Sequence, residues 1–516
     1  MSTRLVVRRI VVAVSLVGGI FMAVENLWAL RPAPQLELSP STTWITEPLA
    51  ADGLPDYFRA VMDLGPRGIP PEKNAAAAVW EVIPSETSSE NAIDYSEAHL
   101  SAADQRPESD RLVMPPPPPE GMDAAEAGRI LEECSRTPWH AADQPWLAHW
   151  LEENRSALDT LAAGARREGW CPPRCLPADA PPTERFRTMP LLMCQLLPVE
   201  GALDRFSSAL LARSMLRLGE GDIPAAWHDL DSLLSYGDKI ADMPGALVCR
   251  KVAMALLARA AHAIKIVILE GHPDDTLLAE MQRSLRSAVD WAPLASSVNT
   301  FDRLLVLDAV TVLLANPSGT LSPAPWRQAL YAILKADQNV VLRAANQLFD
   351  AMVVAASQPT RETRRQASQA IKDEIHDRMN AKLQGRAWFQ PYYEPLSEVL
   401  SKRTVSSLIP AMGIISDADD RAGAALVLAD CAAALERHRL ATGQPPASLA
   451  DLVPAFLPAV PVDPLTDAPL GYRIENGRWT LWSGTDPADD DVDELVLRVP
   501  GRSPGAGEEL VPSSRP

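Results

Sequence analysis

From Asp123 to about residue 415, the apolar residues recur three and four positions apart. That spacing gathers them on one stripe of a helix, and a helix with one apolar stripe must bury it against a neighbour. The chain is therefore expected to be mainly α, built by helices packing on helices. Asp123-Ala-Ala-Glu126 has the form of a capping box and marks where the pattern starts. Helices are expected over Phe301–Ala315, Pro325–Ala356, Arg361–Leu383 and Tyr392–Leu408. The Arg361–Lys382 stretch is so highly charged that one face must be solvated. With 516 residues, 47% of them apolar, there is ample material for a core and for roughly three units of ~150 residues.

A short internal repeat refines the architecture. Ala209-Leu-Leu-Ala-Arg213 recurs as Ala255-Leu-Leu-Ala-Arg259. Each copy runs into a break containing Gly, Gly219-Glu-Gly-Asp222 and then Glu270-Gly-His-Pro273. Each break precedes a second apolar stripe: Trp227, Leu230, Leu233 and Leu234, then Leu277, Leu278, Met281 and Leu285. This predicts a helix–turn–helix unit used at least twice, stacking into an irregular array of helical hairpins. The Leu218–Ala226 stretch resembles a tetratricopeptide-type turn without its full consensus.

At the other end of the chain, Arg4, Arg8 and Arg9 precede fifteen uncharged residues, Ile10–Val24, and Leu27–Leu30 extend that run past Glu25 and Asn26. Ile10–Leu30 is long enough for one membrane-spanning helix of ~20 residues, with Trp28 placed for the interfacial belt. A cleaved signal peptide fits less well, because neither Ala23 nor Ala29 has a small residue two positions before it. Both readings carry the rest of the chain across the cytoplasmic membrane. Gly19 and Glu25 do not have the spacing of a prepilin leader. Residues 32–122 are rich in Pro, Ser and acid, include the polyproline run Pro115–Pro119, and read as a spacer with short helices at Asp56–Leu64 and Ala75–Val82.

The chemistry-bearing residues are sparse. The net charge of −19 argues against nucleic acid as a partner and favours basic partners or cations. Six cysteines (134, 171, 175, 194, 249 and 431) allow fifteen pairings in an oxidising compartment. Cys171 and Cys175 are separated by three intervening residues instead of the two of a redox motif and lack further zinc ligands nearby, which leaves a local disulfide or buried thiols. Trp139, Trp146 and Trp150, with His140 and His149, read as packing between short helices more readily than as an aromatic cage. No nucleophile elbow, phosphate loop or His-Glu-x-x-His is present.

His272-Pro-Asp-Asp275 resembles the His-Pro-Asp-Asp-Glu motif of zinc-dependent N-acetylglucosaminyl deacetylases, with Ile264–Leu269 in the place of that family's strand. The resemblance implies a periplasmic hydrolase using His272 and Asp274. Against it, Thr276 replaces the Glu and no downstream His pair completes a metal shell. The competing expectation is that Asp274 or Asp275 caps the next helix.

The last hundred residues change character. Arg421–Thr442 reads as an Ala-rich helix ending at Gly443, with Ser448 capping a short helix over Leu449–Val453. Phe456–Pro464 is a Pro-punctuated strap. Leu470, Tyr472 and Ile474, the Asn476-Gly477 turn, then Trp479, Leu481 and Ser483 form a β-hairpin pattern, and Glu494–Val499 a third strand. The order of Ala434–Pro454, Val460-Pro-Val-Asp-Pro464, Pro469–Arg473 and Leu481–Asp486 resembles the globular domain of type II secretion major pseudopilins. The whole chain resembles exported proteins of planctomycete-type bacteria with a helical body before such a tail. The pseudopilin resemblance implies calcium at the acidic loop, here Asp486, Asp489, Asp490, Asp491 and Asp493, a suitable donor set for a hard cation. Pro487 stands where the family has Gly, and the competing reading is a solvated acidic loop.

The expected organisation is a membrane anchor over 1–31, a spacer over 32–122, a helical body over 123–416, a small α+β unit over 417–500 and a disordered tail over 501–516. The expected role is a non-enzymatic envelope scaffold, held to the membrane by its N-terminal helix and meeting protein partners through its body or tail. The alternatives are a secretion-system accessory and the zinc hydrolase.

Overall fold

The computed structural model describes residues 35–64, 69–83, 111–112, 114–172, 192, 198–243, 245–315, 337–384, 409–475, 478–484 and 496–498. The fold is mainly helical with a small antiparallel sheet. The expected anchor over 1–31 and the tail over 501–516 lie outside the described residues, as do Cys175, Cys194 and the expected helix Tyr392–Leu408.

The first helices are α1 (Tyr57–Leu64), α2 (Ala75–Val82), α3 (Ala124–Cys134), α4 (Pro145–Glu153) and α5 (Arg155–Gly164). Residues 35–83, which read as part of a spacer, carry both expected short helices, and these pack into the body: α1 against a later helix and α2 against α5. Every residue of α2 except Glu81 is buried. Asp123 opens α3 as expected, its carboxylate accepting the Glu126 amide at 2.7 Å. Trp139 and Trp150 are buried as packing residues, with Trp139 Nε1 donating to the Ala212 carbonyl at 3.0 Å. Cys134 and Cys431 are buried free thiols.

The repeat region folds as α6 (Pro198–Gly219), α7 (Ile223–Asp242), α8 (Leu247–Gly271) and α9 (Asp275–Ser287). These are two helical hairpins with adjacent turns, since a Cβ on Gly271 would come within 2.9 Å of Leu218 and 3.4 Å of Ile223. The two copies are not equivalent in chemistry. Arg213 is buried, 2.6 Å from the fully buried Asp229, whereas the partly exposed Arg259 reaches the Asp204 carboxylate and the Ser207 hydroxyl. α7 and α8 cross closely at Gly237, where a Cβ would lie 2.7 Å from Leu257 Cγ.

Next come a short α10 (Leu294–Ser297), a π-helical turn over Val298–Asp302, α11 (Arg303–Ala315), α12 (Gln338–Ala356) and α13 (Arg361–Gln384). The start of α8 lacks a side-chain cap of its own. Asp302 supplies one from the π-helical turn, accepting the Leu247 amide at 3.2 Å. The described part of α13 has no buried residue, as its charge pattern requires.

The final helix, α14 (Ile409–Thr442), is continuous for 34 residues and crosses the boundary expected at 416/417. It packs along α8 and α9 and touches α13. Within it, the acidic Asp417–Asp420 stretch is helical and is met by three arginines. Arg250 pairs with Asp419 at 2.8 Å, Arg361 with Asp417 at 3.0 Å and Arg364 with Asp420 at 2.5 Å.

Gly443 ends α14 with φ of 79°, and Ser448 and Asp451 form a capping box on a 3₁₀ turn over Leu449–Leu452. β1 (Gly471–Glu475) pairs with β2 (Arg478–Trp482), and β2 with β3 (Val496–Arg498), all antiparallel. Tyr472 stands opposite Leu481, and Leu481 opposite Leu497. Trp479 and Leu481 are buried, and β2 packs on α14.

Candidate functional site

The turns of the two hairpins frame an open groove of about 380 Å³. Its lining brings together His272, Pro273, Asp274, Thr276, Leu277 and Glu280 with Ile223 and Pro224 from the start of α7. Local sequence explains the arrangement. Asp222 caps α7 by accepting the Ala225 amide at 3.2 Å, and Pro224 in the first turn needs no hydrogen-bond partner there. His272 closes α8 in the left-handed conformation, with φ of 49°. Pro273 follows it, and Asp274 opens α9.

The two aspartates of the His-Pro-Asp-Asp motif have separate structural tasks. Asp274 Oδ1 accepts the Leu277 amide at 2.8 Å, the capping role expected of it. Asp275 turns away to α14, where Arg437 Nε lies 2.7 Å from Oδ1. The Arg437 hydrogen bond holds the Asp275 carboxyl below its ordinary value. Arg437 also reaches Gln282 Oε1 at 2.9 Å, so α9 and α14 are joined through this side chain. Ile264–Leu269, the segment in the place of the deacetylase strand, is the last part of α8.

The groove is therefore amphipathic. Ile223, Pro224, Pro273 and Leu277 give it apolar walls. Asp274, Glu280, Thr276 and His272 supply polar groups on exposed positions. Glu280 is fixed by Trp227, whose Nε1 donates to Oε1 at 3.0 Å. Just outside the lining, burial pushes the Glu270 carboxyl up, with His272 acting in the opposite direction. Two carboxylates beside apolar walls suit a basic and apolar segment of a partner. Among the described residues no group of three or more His, Cys, Asp or Glu side chains comes together to hold a metal ion.

The residues of the expected calcium loop, Asp486, Asp489, Asp490, Asp491 and Asp493, lie outside the described residues. The base of that loop is described. Asp463, in the Val-Pro-Val-Asp-Pro strap, is 1% exposed and gathers four donors. Its carboxylate accepts the Leu465 amide at 2.9 Å, the Thr466 hydroxyl at 3.0 Å, the Ser483 hydroxyl at 2.6 Å and the Gly484 amide at 2.8 Å. Strap and second strand are thus pinned together by one buried carboxylate. The sequence displays Asp463 within the strap motif, but only the fold shows that Ser483 and Gly484 are its partners.

No family model, curated protein or solved structure matches the chain.

Proposed function

We propose that this chain is a single-pass, membrane-anchored interaction protein of the cell envelope, with its bulk outside the cytoplasm and no enzymatic step of its own. The observation that carries the reading is the groove between the hairpin turns, with apolar walls and a carboxylate rim. Its Asp274 caps a helix, and the neighbouring Asp275 ties α9 to α14. The partner it suits is a basic protein segment, consistent with a chain of net charge −19. Ile10–Leu30 supplies the anchor, and the arginines before it the orientation.

The hydrolase reading through His272 and Asp274 gains no comparable support. A second reading, an accessory of a type II secretion-like system, is favoured by the C-terminal order of helix, Gly443 break, capped turn, strap and hairpin.

The test places a photo-reactive residue at Thr276 in the full chain and measures the metal content of the same preparation. Discrete protein adducts at Thr276, suppressed when Asp274→Asn and Glu280→Gln remove the rim charges, support the scaffold. Stoichiometric zinc that disappears in His272→Ala would replace it with the hydrolase. Adducts dominated by pseudopilins would select the secretion accessory.

A further inference from the structure

Residues 35–44 form a strap laid along α12, and its contacts advance in order. Asn339 Nδ2 donates to the Gln35 carbonyl at 2.9 Å, and Asn339 Oδ1 accepts the Glu37 amide at 2.8 Å. Arg343 pairs with Glu37 at 3.2 Å. One turn further, Asn346 Nδ2 donates to the Thr42 carbonyl at 2.6 Å. Trp44 then stacks on the guanidinium of the fully buried Arg303 at 3.8 Å, and the same guanidinium lies 5.6 Å from the Phe349 ring. The strap therefore enters at the N-terminal end of α12 and runs parallel to it, away from that end.

The apolar run proposed as the anchor ends at Leu30, five peptide steps before Gln35. Five steps of chain span at most about 18 Å. The 19 residues of α12 extend roughly 28 Å at ~1.5 Å each. Beyond its far end, α13 begins at Arg361, whose amide donates to Asp467, in the turn just after the C-terminal strap, at 3.1 Å. The geometry points to a defined orientation on the membrane: the entry of the strap and the first turn of α12 face the phospholipid headgroups, while the end of α12 and the Asp467 turn point away. The partner of this surface is the lipid bilayer itself. The inference rests on the anchoring reading and adds the direction that the short tether imposes.

Two exposed apolar side chains give matched probes. Leu38 lies on the strap near its entry, and Val354 lies near the far end of α12. A benzophenone amino acid at either position, in the full chain in its native membrane, reports lipid contact as phospholipid adducts read by mass spectrometry. The Leu38 site is expected to give several-fold more adduct than the Val354 site. A flexible Gly/Ser insert of about 20 residues between Pro34 and Gln35 should bring Leu38 down to the Val354 level. Equal adducts at both sites, or no fall with the insert, in a chain still retained by carbonate-washed membranes, would overturn the orientation and leave anchoring intact. Loss of the unmodified chain from washed membranes would overturn the anchoring reading itself, and the orientation with it.

Discussion

Arg250 of α8 and Asp419 of α14 meet as a forked ion pair inside the body. Arg250 Nε lies 3.0 Å from both carboxylate oxygens and Nη2 lies 2.8 Å from Oδ2. The remaining Arg250 nitrogen, Nη1, donates to the Ala292 carbonyl at 2.7 Å. One guanidinium thus joins the central helix, the loop before α10 and the long final helix. Burial pushes the Asp419 carboxyl up, while the Arg250 hydrogen bonds and charge oppose that rise.

Removing either partner strands a buried charge. Arg250→Ala or Asp419→Ala is expected to cost about 3–5 kcal/mol, whereas Arg250→Met combined with Asp419→Leu should recover most of that loss. Urea unfolding of the three variants checks this. A double variant as unstable as the single ones would contradict the account.

Two carboxyls, the buried Asp308 and the half-buried Asp302, set a pH dependence. Burial pushes Asp302 and Asp308 up to about 7, although each accepts a backbone amide, from Leu247 and Leu192 respectively. Asp56 adds to the rise at Asp308. The unfolded chain ionises these groups near pH 4, so they favour the folded state below that pH. That contribution is lost as pH rises through 7, on the order of 4 kcal/mol per carboxyl. Asp302→Asn and Asp308→Asn keep an acceptor oxygen and remove the titration. Each should flatten the fall in stability between about pH 4 and pH 8, as read by denaturant midpoints.

The close crossing of α7 on α8 has no room for a methyl group. Gly237→Ala would meet Leu257 Cγ at 2.7 Å and the Ala253 carbonyl at 3.3 Å. A loss of about 1–3 kcal/mol is expected. Adding Leu257→Ala to make space should cost less on the Gly237→Ala background than on its own, and a double-mutant cycle measures the coupling.

The four donors around Asp463 make it the organising residue of the strap and second strand. Asp463→Ala leaves those four donors without their acceptor, the buried Ser483 hydroxyl among them, and should destabilise the C-terminal unit by about 2–3 kcal/mol. Asp463→Asn keeps only one acceptor oxygen and should fall between the two. Amide hydrogen exchange across 463–484 checks the prediction, with loss of protection expected at Leu465 and Gly484 first.

The sequence made some of this plain because short-range rules dominated. The caps at Asp123, Asp274 and Ser448, the stop at Gly443 and the hairpin from Gly471 to Trp482 are all fixed by neighbours within a few residues. The continuity of α14 was not legible: the expected helix starts at Arg421, and Arg250, Arg361 and Arg364 reach Asp417–Asp420 only from other helices. The docked strap at 35–44 was hidden for the same reason, its partners lying some 300 positions away in α12. At the groove, His272 and Asp274 could be singled out by motif, whereas Ile223, Pro224 and Glu280 join them only through the stacking of the two hairpins.

The unbroken course of α14 has a mechanical consequence. With 34 residues at ~1.5 Å each it is a strut of about 51 Å, which packs against β2 and meets Arg250 at Asp419. Arg250 of α8 holds it at Asp419, and Asp275 and Gln282 of α9 hold it at Arg437, so two separated points fix this strut to the body.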